Sequence, residues 1–197
     1  MEFNTEELIN MFKNLNLHQD IEPIDIPHLH LYMDQVIQLF DNNLSHCKRN
    51  SDDKLLTKTM INNYTKDKLL MPVKNKKYSR EHIILMILIY NLKQSLSIGD
   101  IKILFNDLVL NLQDTKSSLI DIDSFYSLFL QIKNNEIEKE ETHLNDILSM
   151  VQETIEEKEN SEYEKLLLTV LALTNSANIQ KRMAEKIIDT YFSKKQL

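Results

Sequence analysis

Between Lys48 and Arg80 the chain carries ten basic residues and three acidic ones. The formal net charge over all 197 residues is −7, so this block stands at +7 and the remainder at −14. Segregation of this kind is the footprint of a localised anionic partner. Within the block, Lys58, Asn62, Asn63 and Lys66 fall on the outward face of one helical segment. Amides and lysines are the groups that contact base edges and phosphates. Lys74, Lys76, Lys77 and Arg80 follow in a short basic connection after Pro72. Tyr64 and Tyr78 are expected to pack beneath these groups or to donate their hydroxyls to a nucleic-acid backbone. A presented helix with a basic loop beside it suits duplex DNA, the helix in the major groove and the loop on the neighbouring backbone or minor groove. A helical hairpin with solvated lysines has the same composition.

Other chemistries find less support. Six histidines are scattered, and neither His28 with His30 nor His46 beside Cys47 has companions at the usual zinc spacing. Cys47, at the end of an apolar helix, reads as a small core residue. The acidic runs Glu136–Glu141 and Glu153–Glu164 read as solvated helix faces, with no oriented base beside them. A single glycine excludes phosphate-cradling loops and dinucleotide fingerprints, which need several. No catalytic residues, no metal site and no cofactor are expected; the chain does not read as an enzyme.

The same scarcity of glycine disfavours the primed turns of extensive antiparallel sheet. Only three prolines, Pro23, Pro27 and Pro72, interrupt the chain. An all-α fold follows, with room for a short two-stranded wing. A chain of this length buries about 70% of its unfolded surface and needs no disulfide or metal to hold it. One cysteine, an acidic polar start and no apolar run approaching ~20 residues point to a cytoplasmic protein with no membrane partner.

The elements that must position the basic block can be read in order. Asn4 and Glu7 form a capping box ahead of Leu8, Met11, Phe12 and Leu15. Asp20–Pro27 is a linker, and Leu29, Met33, Val36, Ile37, Phe40 and Leu44 recur at helical spacing up to Cys47. A helix is expected over 55–68, with Leu56, Met60, Ile61 and Tyr64 inward. Ser79 caps a helix that is apolar nearly all round from Ile83 to Leu92 and must be buried. Ser97 and Asp100 cap another, with Ile98, Ile101, Leu104, Phe105 and Leu108 facing in. Asn111–Asp121 marks a module boundary. Beyond it, a long acidic helix over 122–155 repeats Leu130, Ile137, Leu144 and Val151 seven apart, a pattern suited to pairing with a second copy or folding back on the chain. Ser161 and Glu164 cap the run Leu166–Leu173, read as core, and Ile179, Met183, Ile187 and Tyr191 define a last helix.

At the basic block the sequence resembles the MerR-type winged helix-turn-helix of bacterial transcription regulators. The recognition-helix pattern T-[LI]-R-Y-Y-E-x-x-G-L-L-x-P falls on Met60–Pro72, the start of the following helix on Tyr78–Ile83, and a third motif on Leu96–Ile101. In this chain Asn62 stands for the arginine, Asn63 for the first tyrosine and Lys68 for the glycine, while Lys76-Lys77-Tyr78 replaces the Gly-Tyr-Arg of the wing. The whole chain is also similar to an uncharacterised family of low-GC Gram-positive bacteria, a domain of unknown function. The resemblance implies a winged helix-turn-helix over 23–112, preceded by a helix and linker at 1–22 and followed by a helical dimerisation or effector module at 113–197. It implies a DNA-binding regulator with a recognition helix at 55–68, a wing at 73–80, and a homodimer formed through the C-terminal helices. The competing reading is a helical adaptor that keeps this shape but docks on an acidic protein.

Overall fold

The computed structural model describes residues 2–113, 120–155 and 161–193. Among them the chain is mostly helical. Asn4 accepts a hydrogen bond from Glu7 N at 3.1 Å and starts α1 (Thr5–Asn14). A two-residue strand, β1 (Leu31–Tyr32), leads into α2 (Met33–Leu44), then α3 (Lys58–Lys66), β2 (Lys77–Tyr78), α4 (Arg80–Leu92) and α5 (Ile98–Gln113). Two long helices follow, α6 (Ile122–Thr154) and α7 (Ser161–Ile187), the second closed by a π-helical turn, Ile188–Phe192. Ser97 Oγ accepts from Asp100 N, and Asp100 Oδ2 from Ser97 N, so the expected capping box starts α5.

The chain divides into two compact units, neither continuous in sequence: Gln19–Leu130 with Ala184–Leu197, and Met1–His18 with Gln131–Met183. The division falls inside α6, so the expected partition into 1–22, 23–112 and 113–197 does not coincide with it. In the first unit α4 is the buried axis: Ile83 through Ile89 are all inaccessible or nearly so. Phe40, Ile61, Leu69, Ile101 and Phe105 pack in the same core, and Ile188 joins it from the far end of the chain. Tyr126 is buried and donates its hydroxyl to the carbonyl of Ile21 at 2.7 Å. β1 and β2 pair antiparallel, Leu31 opposite Tyr78 and Tyr32 opposite Lys77. The second unit holds α1, most of α6 and most of α7. There Lys13 pairs with Glu141 at 3.0 Å, and His143 meets Ser176 Oγ at 3.2 Å.

Several expectations are corrected. The presented helix covers 58–66 and not 55–68: Thr57 Oγ1 accepts from Met60 N at 3.1 Å and fixes the start, leaving Leu55 and Leu56 buried in the preceding loop. Leu29 precedes α2 and is 80% exposed. Ile98 is also exposed on α5. The heptad series Leu130, Ile137, Leu144 and Val151 on α6 is buried within the chain itself. The apolar run on α7, expected as core, lies largely in solvent, and the expected separate last helix is a continuation of α7. Part of the expected boundary at 111–121 and part of the acidic run at 153–164 lie outside the described residues.

Candidate nucleic-acid interface

The nine residues of α3 span about 13.5 Å at 1.5 Å per residue. Ile61 and Tyr64 fasten the helix to the core, which leaves Lys58, Asn62, Asn63 and Lys66 exposed on the other side. Its C-terminus is closed by a Schellman motif: Leu69 N donates to the Tyr64 carbonyl at 2.9 Å and Lys68 N to the Thr65 carbonyl at 3.2 Å. The residue that must turn left-handed in this motif is Lys68, with φ 61°. This is the position at which the MerR pattern carries glycine. From below, Lys93 Nζ donates to the Leu55 carbonyl at 3.1 Å and lies 5.0 Å from the centroid of the Tyr90 ring. Burial lowers the Lys93 ammonium below its ordinary pKa.

After Pro72 the chain makes a tight reversal over Lys74–Lys77. Lys77 N donates to the Lys74 carbonyl at 3.0 Å, and the two central residues, Asn75 and Lys76, have φ of 53° and 57°. Two successive left-handed residues define a type I′ turn, ordinarily the province of Asn-Gly. The scarcity of glycine therefore did not prevent a primed turn; Asn75 and Lys76 adopt it. Lys74 and Lys76 are exposed at this turn. Beyond it, β2 pairs with β1 rather than extending a free wing ribbon.

Two anchors on the start of α2 bring α3 and the turn together. Lys58 Nζ is 2.7 Å from Asp34 Oδ1, and Lys77 Nζ stands 5.0 Å from the centroid of the Tyr32 ring. Tyr32 and Asp34 were not read as site residues; two-residue strands carry no periodic pattern that would have revealed the pairing. Lys66, Lys74 and Lys76 have no carboxylate partner among the described residues.

Arg80 is placed differently from the expectation. Its side chain is 13% exposed. Nε donates to Asp123 Oδ1 at 2.6 Å, one terminal nitrogen to the Ile26 carbonyl, and the other to the Pro23 carbonyl at 2.8 Å. A guanidinium held by these three bonds, largely out of solvent, ties the linker and the start of α6 to α4, and is not offered to a phosphate. Tyr64 and Tyr78 are buried and pack, with burial raising both phenol pKa values. Neither reaches a surface from which to donate.

Beneath the turn lies a cavity of about 610 Å³ whose lining includes Met71, Lys74, Lys77, Ser79, Glu81 and Leu112. His82 forms part of its wall. In place of the glutamate of a capping box, His82 Nδ1 accepts from Ser79 N at 3.2 Å, with Ser79 Oγ at 2.7 Å. Its Nε2 faces the Met71 carbonyl at 3.2 Å. This assigns the remaining proton to Nε2 and a neutral ring. Burial lowers the His82 pKa, against the opposing pull of the Met71 carbonyl and Glu81. The Ser-x-x-His spacing was the one signal that could have disclosed this arrangement. Cys47, expected in the core, is exposed, with Sγ 3.2 Å from His46 Nε2. Among the described residues no three His, Cys, Asp or Glu side chains are close enough to share a metal ion, and no helix is long and apolar enough to cross a membrane.

A family described as a domain of unknown function (DUF1836) matches residues 21–129. The match ends within two residues of the limits of the continuous part of the first unit, Gln19–Leu130, so it covers the candidate interface and leaves α1, most of α6 and α7 outside. The family resemblance expected of the whole chain is shown over this segment. No curated protein and no solved structure matches the chain.

Proposed function

The chain belongs to the DUF1836 family, and on that premise we propose that residues 21–129 form a docking domain for duplex DNA in a cytoplasmic transcription regulator. In this reading α3 presents Asn62, Asn63 and Lys66 to the major groove. The turn places Lys74 and Lys76 on phosphates, with Lys77 behind them. The observation that carries it is the type I′ turn of Lys74–Lys77, which holds two uncompensated ammonium groups out from a body of opposite net charge. Such groups release counterions from duplex DNA when they bind it.

The experiment is a salt titration of duplex affinity for the native chain and for Lys74→Ala/Lys76→Ala/Lys77→Ala. Each phosphate contact contributes about −0.9 to the slope of log affinity against log salt, so losing those of Lys74 and Lys76 should flatten the slope by about 1.8. An unchanged slope, or no duplex binding by the native chain at low salt, refutes the reading.

One observation favours the adaptor reading. Asp34 sits on Lys58 at the presented helix, and a carboxylate there opposes a polyphosphate backbone. If Asp34→Asn leaves duplex binding unaltered while recovery of one acidic protein from cells depends on the three turn lysines, the adaptor reading replaces the DNA reading.

A further inference from the structure

The cavity beneath the Lys74–Lys77 turn carries groups that docking on duplex DNA leaves unused. Its volume of about 610 Å³ is that of a small-molecule site. Met71, Pro72 and Leu112 supply apolar wall, and the permanently charged groups of the lining are Lys74, Lys77 and Glu81. Burial pushes the Glu81 carboxyl up, but hydrogen bonds from the Ser79 side chain and from its own backbone hold it below the ordinary carboxylate value. Glu81 is therefore ionised at neutral pH. Among the described residues it nevertheless forms no ion pair with either lysine. Lys77 rests on the Tyr32 ring, and Lys74 has no carboxylate partner among the described residues. Two ammonium groups against one carboxylate leave one positive charge in excess, beside an apolar wall.

We propose that this cavity binds a small organic monocarboxylate, its acid group against Lys74 and Lys77 and its hydrocarbon body on Met71, Pro72 and Leu112. One surplus positive charge matches one carboxylate, whereas the second charge of a phosphate dianion would face Glu81 without compensation. Every residue named here lies in the matched segment, so the site belongs to the domain that carries the turn and not to the C-terminal helices. A consequence for regulation rests on the DNA reading. Lys74 is assigned to a phosphate there, with Lys77 behind it, and both also line the cavity. An acid group held by these ammoniums competes with phosphate for them. Ligand and duplex then weaken each other's binding by the same factor.

The test is isothermal titration calorimetry of the full chain without DNA. Octanoate and benzoate are the probes, octanamide the uncharged match of octanoate, and acetate and inorganic phosphate the anions without a hydrocarbon body. At least one probe should bind saturably, with octanamide, acetate and phosphate each weaker by about tenfold or more. Lys74→Gln should weaken the probe about fivefold, whereas Lys66→Gln, which removes an exposed ammonium of α3 outside the cavity, should change it by less than about twofold. Unchanged helical circular dichroism shows that both variants are folded. No saturable binding of either probe up to about 10 mM overturns the site. So do octanamide or phosphate binding as tightly as the probe, and equal losses in Lys74→Gln and Lys66→Gln. A duplex titration with and without saturating probe reads the regulation. A chain that binds the probe but no duplex removes the DNA reading and leaves the site standing. A chain whose duplex affinity ignores a bound probe overturns the competition alone.

Discussion

Replacing Lys68 with glycine should stabilise the protein, although it deletes a long side chain and adds no contact. Lys68 occupies the left-handed position of the Schellman motif that ends α3, at φ 61°. A residue with a Cβ pays roughly 1–2 kcal/mol for that conformation. Glycine avoids this cost but returns about 0.4–1 kcal/mol through the greater freedom of its unfolded chain. The net expectation is a gain of about 0.5–1 kcal/mol. Lys68→Ala provides the reference, since it removes the same ammonium and keeps the Cβ. Urea unfolding of the three proteins should give Lys68→Gly the highest midpoint, Lys68→Ala a midpoint close to that of the native chain, and a common m-value. For a chain of this size the gain corresponds to about 1–4 °C in melting temperature. A glycine variant no more stable than the alanine variant would refute the argument. It would show that the Leu69–Tyr64 closure, rather than the backbone angle of Lys68, governs this helix end.

Two other expectations concern groups drawn into the fold. Arg80→Ala should cost about 2 kcal/mol in urea unfolding, because it strands a carboxylate and two carbonyls; the partial exposure of Asp123 holds the figure below that of a fully buried pair. The same variant should leave the salt slope of duplex binding unchanged. Stability should also fall on acidification through His82. Its folded pKa lies below the ordinary value near 6.5, so the unfolded chain takes up the proton first. The stability is complete above about pH 6.5 and is lost as pH drops toward the depressed value. Thermal melts between pH 8 and pH 5 should show this loss, and His82→Gln should flatten it; an equally steep decline in the variant would assign the titration to Glu81, whose carboxyl is also lowered in the fold.

Two helix starts could be read because each rests on a local hydrogen bond between residues three apart. Asn4 with Glu7 and Ser97 with Asp100 are of this kind. The burial of α4 could be read too, since a segment apolar on every side has no solvent face to offer. What escaped reading depended on partners remote in sequence. Leu55 and Leu56 continue the apolar spacing of α3, yet Thr57 intercepts the helix and leaves them in the loop. Arg80 counts as surface charge until Pro23, Ile26 and Asp123 come to meet it. The Leu166–Leu173 run shows that apolar composition predicts that a surface will be covered without saying by what. Lys68, Asn75 and Lys76 mark the limit of arguing from missing glycine: other residues can hold left-handed angles when hydrogen bonds on both sides enforce them.

The return of the chain bears on the order in which the molecule can be completed. Ile188 is 3% exposed and belongs to the core built mainly from residues 21–130. During synthesis that core must wait, one side chain short, until residue 188 has left the ribosome. A fragment trimmed to the family boundary would keep that gap permanently, so soluble expression of the excised domain should depend on supplying residues 184–193 in trans or by fusion.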